Sequence, residues 1–186
     1  MTFESTPNAT AALSGVAMLL VAGVLDWRDV LEEKGAWDVF VWFGGLMMLA
    51  GRLEKAGFPN VFAQSLAHMV EGWPWWWALV LMLVVYLYAH YAFASLVAHV
   101  TAMFPAFFAT AIVLGAPPLL AAVAFGVLSN VNASMTHYGT GPAPIIFGAG
   151  YVSQPAWWRI GFIVSIAHLT IWLPVGFLWW RVIGLW

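Results

Sequence analysis

Of the 186 residues, 63% are hydrophobic and only 8% charged, against about half and about a quarter in an average soluble domain. So few charges cannot coat a globule, which excludes an ordinary soluble fold, and 13 tryptophans suit a chain that sets indole rings at the lipid–water interface. Six basic against eight acidic residues leave no footprint for nucleic acid, and the absence of cysteine excludes disulfides, thiolate metal sites and cysteine nucleophiles.

A spanning helix needs about 20 residues, so the chain has room for roughly five or six crossings. The stretch Met1–Thr10 carries no basic residue, so the apolar run Ala9–Leu25 lacks the charged flank of a secretory signal and reads as a retained span. A hydrophilic turn, Asp26–Asp38, follows with Arg28, Glu32, Glu33 and Lys34. A second span opens at Trp37 and runs through Gly44-Gly45 to Ala50, closing on Arg52, Glu54, Lys55 and Gly57. In Phe58–Glu71, Phe58, Phe62, Leu66 and Met69/Val70 recur at helical spacing opposite Asn60, Gln64, His68 and Glu71. That pattern predicts an amphipathic helix in the interface. Trp73, Trp75, Trp76 and Trp77 mark re-entry at headgroup depth, with Pro74 at the helix start.

From Ala78 to Leu114 the chain is apolar for longer than one crossing needs, yet Tyr88–Thr101 contains no charged loop. The only punctuation is small and polar, including His90, Ser95, His99 and Thr101. This fits a re-entrant hairpin with its tip buried in protein, because bare backbone facing lipid is too costly; two closely spaced full spans are the alternative. Pro117-Pro118 starts the next helix, expected to reach about Thr136 and to resume at Ile145. Between them, His137-Tyr138-Gly139-Thr140-Gly141-Pro142-Ala143-Pro144 cannot remain regular helix. A broken membrane helix frees backbone dipoles and aims two half-helix ends at one place, the way transporters build sites for anions and Na⁺. Gln154–Arg159 reads as an interfacial connection, and Ile160 to about Arg181 as the last span. The six Lys and Arg residues divide evenly between the two sides, so charge does not orient the chain.

The run Ala133-Ser-Met-Thr-His-Tyr-Gly-Thr-Gly-Pro-Ala-Pro-Ile-Ile-Phe-Gly-Ala-Gly-Tyr-Val152, with Trp157-Trp158 and a last span ending Leu-Trp-Trp-Arg181, resembles the divalent anion:sodium symporter family. More narrowly it is similar to the branch of citrate and tartrate carriers and 2-oxoglutarate/malate translocators. Phe93-Ala94-Ser95-Leu96-Val97-Ala98-His99 is similar to that branch's second hairpin tip, and Trp42-Phe43-Gly44-Gly45 to the glycine pair of the preceding span. The resemblance covers the C-terminal half of a family member, one of two inverted repeats, so the expectation is a fragment, a split half or a truncated product.

The resemblance implies an all-α integral membrane protein of about five membrane helices, including a re-entrant hairpin and a broken helix. Residues 1–72 would be scaffold-like: two spans and the interfacial helix. Residues 73–186 would be transport-like. It implies transport of di- or tricarboxylates coupled to Na⁺ or to anion exchange, with no other cofactor, in the plasma (bacterial inner) membrane. The expected partners are the substrate, the bilayer, and a first-repeat half or a second copy. Carried over by position, Na⁺ would meet backbone carbonyls near Tyr91, Ala94 and Gly139, plus Ser95. Substrate would meet Ser95, Val97, His99, Thr140 and Gly141. The family tip commonly reads Ser-Asn-Thr or Ser-x-Thr; Leu96 and Val97 supply neither amide nor hydroxyl, which leaves Ser95, backbone amides, His99 and Thr140 to hold a carboxylate.

From the residues alone, His99 and His137 read either as anion contacts or as packing histidines bonded to a carbonyl, while His90 and His168 read as packing. With no paired carboxylates, metal-ligand cluster, nucleophile elbow or phosphate loop in the sequence, an enzyme is not expected. The competing function is an inserted remnant or assembly subunit that carries no flux.

Overall fold

The computed structural model describes residues 8–186, so the start of the Met1–Thr10 stretch lies outside it. Every regular element among the described residues is helical. The chain divides into two compact units between Asp38 and Val39.

In the first unit, α1 (Asn8–Val21) stops short of the expected Leu25. Gly23, at φ 68°, takes the left-handed backbone that ends a helix. The polar turn holds a short helix, α2 (Trp27–Glu32), whose start is fixed by the Asp26 N–H donating to Asp29 Oδ2 at 2.7 Å. Beyond it, α3 (Lys34–Lys55) begins in the first unit and continues into the second, running through both charged ends of the expected span and through Gly44-Gly45. Arg52 and Lys55 sit in its last turn, where cations suit the helix dipole.

In the second unit, α4 (Phe58–Met69) is amphipathic: of the expected stripe Leu66 and Val70 are buried and Phe62 is half-buried, whereas Phe58 and Met69 are exposed and Pro59 and Ala63 are buried. The helix packs on α6, where Phe62 meets Phe107 with ring centroids 5.9 Å apart. The hairpin is α5 (Trp75–Ala89) and α6 (Leu96–Val113), joined through a 3₁₀ turn at His90–Ala92. His90, Phe93 and Ala94 at this tip are buried while Ala92 and Val97 are exposed, so protein covers part of the turn. α7 (Pro118–Val131) lies against both arms. At the centre, Tyr86 from α5, Phe107 from α6 and Phe125 from α7 meet edge-to-face or tilted, with ring centroids 5.1–6.3 Å apart. Between apolar helices in lipid such packing, with Ala102, Ala106, Ala121 and Ala124 letting backbones approach, replaces the hydrophobic drive available in water.

After α7 the chain makes one 3₁₀ turn, Asn132–Ser134, and then loses helical form until α8 (Ala143–Gly148). The break therefore begins earlier than the expected Thr136 and ends earlier than Ile145. The final helix, α9 (Gln154–Val182), absorbs the expected interfacial connection, so Trp157, Trp158 and Arg159 are helical. Ser153 takes the extended backbone of the cap position without a side-chain capping bond, and Pro155 suits the first turn. Among the described residues, four helical stretches are long and apolar enough to cross a membrane: Lys34–Lys55, Trp75–Ala92, Leu96–Val113 and Gln154–Val182. Thr10–Val21 and Pro118–Ser134 are shorter apolar helices.

Candidate functional site

The hairpin tip and the break meet. Tyr138, inside the break, donates its hydroxyl to the Tyr91 carbonyl at 2.8 Å. One residue earlier, the fully buried His90 ring lies against Gly139: a β-carbon there would stand 2.8 Å from His90 Nε2. The same point is 3.1 Å from both the Ala133 carbonyl oxygen and Thr136 Oγ1. Glycine at 139 is thus required by close approach, since its φ lies outside the left-handed region.

A polar seam runs inward from this contact. His99, from the start of α6, is fully buried with its ring 5.2 Å from His90. Its Nε2 lies 3.1 Å from the Tyr86 carbonyl and its Nδ1 3.3 Å from Asn132 Nδ2. A carbonyl only accepts, so Nε2 carries the proton, and Nδ1 accepts from the Asn132 amide. Both nitrogens of a neutral His99 are therefore used within the fold. Tyr86 donates in turn to Ser129 Oγ at 2.7 Å, because the serine proton goes to the Phe125 carbonyl at 2.7 Å. These bonds tie α5, α6 and α7 together immediately behind the tip. Four buried polar atoms in the seam make no hydrogen bond among the described residues: both ring nitrogens of His90, Asn132 Oδ1 and Thr136 Oγ1. Such atoms are uncommon in a packed interior and concentrate where a protein does something other than pack.

On the other flank, α9 grips the break. Trp158 Nε1–H donates to His137 Nδ1 at 3.0 Å, and His168 Nδ1–H donates to the Val131 carbonyl at 3.1 Å. Gly161 presses on the Met135 backbone so closely that a β-carbon would overlap its carbonyl group.

The sequence-derived candidates fall into three groups. Tyr91, Ala94 and Gly139 lie at the meeting point, with Ala94 and Gly139 buried and one lone pair of the Tyr91 carbonyl taken by Tyr138. Ser95 caps α6 in extended backbone without a side-chain capping bond, and Thr140 is half-buried beside the exposed Gly141. Val97 is 74% exposed, whereas His99 is turned into the core, so these two do not share a face. His90, Asn132, Thr136 and Tyr138 were not among the candidates. The signal available for them was chemical: uncharged polar groups at membrane depth within a helical turn or two of the tip and the break.

The amino-acid sequence has known relatives. The family described as the sodium:sulfate symporter transmembrane region matches residues 2–186. The chain belongs to this family. Among symporter-family relatives, it is 46% identical over 95% of its length to dicarboxylate transporter 1, chloroplastic, of Spinacia oleracea, covering 32% of that protein. It is 49% identical over 95% of its length to the putative malate transporter YflS of Bacillus subtilis (strain 168), covering 37% of that protein. It is 32% identical over 96% of its length to inner membrane protein YbhI of Escherichia coli (strain K12), covering 38% of that protein. The chain thus spans about a third of the length of these curated relatives. Family and helices together make it a multi-pass, all-α membrane protein of a transporter family rather than an enzyme.

Proposed function

We propose that the chain forms the C-terminal part of a secondary transporter for di- or tricarboxylate anions, coupled to Na⁺ or to counter-anion exchange. The observation that carries this reading is the contact of a hairpin tip with an unwound helix, made by Tyr138 on Tyr91 and His90 on Gly139. Freed carbonyls in such a place suit Na⁺, while amides and hydroxyls suit a carboxylate. The names of relatives, dicarboxylate and malate transporters, support the substrate class. On this reading Ser95, Thr140 and Gly141 face the substrate, and carbonyls near Tyr91, Ala94 and Gly139 with Ser95 hold Na⁺. Residues 73–186 move as the transport unit, the hairpin being re-entrant, against a scaffold formed by residues 1–72. A first-repeat partner or a second copy completes the site in the bacterial inner membrane.

The test is uptake of labelled malate, 2-oxoglutarate, succinate and citrate into proteoliposomes, with and without Na⁺ and with and without internal counter-anion. The chain is assayed alone and with the preceding two thirds of a relative. Saturable uptake of a dicarboxylate in either preparation is the expected result. Correct insertion of both parts with no uptake supports the non-transporting subunit instead.

A further inference from the structure

His137 lies near the start of the break, and its ring is held among aromatic neighbours. Its centroid lies 4.4 Å from Phe147, 5.0 Å from Tyr138 and 5.5 Å from Trp42, and Trp158 bonds to its Nδ1. An indole N–H is a donor only, so His137 Nδ1 must be the lone-pair nitrogen and the imidazole proton must sit on Nε2. The residue is 8% exposed, and Nε2 makes no hydrogen bond among the described residues. The fold therefore holds one N–H donor of fixed tautomer, two residues before Gly139 and three before Thr140 along the break. His137 Nε2 is not one of the fully buried unbonded atoms, so this donor is open to an acceptor that enters from outside the fold. A proton on that nitrogen repels a cation, so Na⁺ is not its partner; a carboxylate, which only accepts, is.

We propose that His137 binds a substrate carboxylate through Nε2–H, and that Trp158 is a positioning residue that holds the imidazole in the donating tautomer. The carboxylate as substrate class rests on the function proposed above; the tautomer rests on the geometry alone.

Two measurements separate these claims. The first is solid-state NMR of the reconstituted chain with ¹⁵N-labelled histidine. Wild type is expected to show a non-protonated Nδ1 signal that is absent in His137→Gln and that moves toward the protonated range, through mixed tautomers, in Trp158→Phe. Saturating succinate is expected to shift the His137 Nε2 signal. The second is kinetic, in the transporting preparation. His137→Asn, whose amide stops at the δ position, is expected to raise KM for malate about tenfold or more with little change in maximal rate, the loss of a hydrogen bond to a charged group. His137→Gln, which carries an N–H to the ε position, is expected to stay within about threefold of wild type, and Trp158→Phe to fall between the two. A His137 protonated on Nδ1 in wild type, an Nε2 signal unmoved by succinate, or wild-type KM in His137→Asn each overturns the proposal. Absence of uptake together with an Nε2 signal that does respond to succinate counts against transport by this chain and leaves the binding assignment standing.

Discussion

Gly139→Ala places a methyl group where the hairpin tip meets the break. The new carbon stands 2.8 Å from His90 Nε2 and 3.1 Å from the Ala133 carbonyl oxygen and Thr136 Oγ1, whereas optimal carbon contacts lie at about 3.5–4.0 Å. Backbone strain contributes nothing, since Gly139 is not in left-handed conformation. His90 has little room to yield: its ring is fully buried against His99, whose nitrogens hold Tyr86 and Asn132. Overpacking of this kind costs roughly 1–3 kcal/mol. Reversible unfolding in mixed micelles measures it, and a double-mutant cycle with His90→Ala assigns it. If the methyl group strikes His90, the double variant is more stable than the sum of the single losses predicts, by more than about 0.5 kcal/mol. An unaltered unfolding midpoint for Gly139→Ala, or additive losses in the cycle, would show that the tip and the break are not in contact.

Further outcomes follow from the same geometry. Ser95→Ala and Thr140→Ala each remove a hydroxyl at the proposed ion and substrate positions, worth about 1.5–3 kcal/mol to a charged ligand. Saturation curves in Na⁺ and malate should weaken by roughly ten- to a hundredfold, and wild-type curves for both would remove that site. Tyr138→Phe deletes the bond to the Tyr91 carbonyl and should destabilise by about 0.5–1.5 kcal/mol in the unfolding assay; no loss would mean that the bond does not form. A cysteine at the half-buried Thr140 should react with small impermeant thiol reagents from one side of the membrane faster than one at the buried Ala143, and equal inertness would argue against an aqueous path to the break.

Much of the architecture was legible because membrane insertion writes itself into composition. Long uncharged runs, prolines at the starts of α4, α5, α7, α8 and α9, and two glycines with two prolines inside six residues locate helices and the break within a few positions. The errors were local. Gly23 ends α1 early, Asp26 and Asp29 nucleate a helix in a polar turn, and Ser153 with Pro155 begins α9 six residues sooner than the tryptophan pair suggested. Each is a capping effect confined to a few residues, which hydropathy averaged over a span does not register.

The roles of the histidines are a different matter. The sequence determined that His90, His99, His137 and His168 lie in or beside apolar segments, and with no carboxylate among the neighbouring residues it determined that they would have to find neutral partners. Which partner each found was decided by the tertiary structure. His99 and His168, read from sequence as different in kind, both bond a carbonyl of a neighbouring helix. His90, read as packing, faces Gly139 with both nitrogens unbonded among the described residues, and His137 has its tautomer set by an indole 21 residues away. The physical reason is that hydropathy is a property of each residue in its own segment, whereas a hydrogen bond needs a donor and an acceptor brought to about 3 Å. That proximity exists only once α5, α6, α7 and α9 have packed around the break.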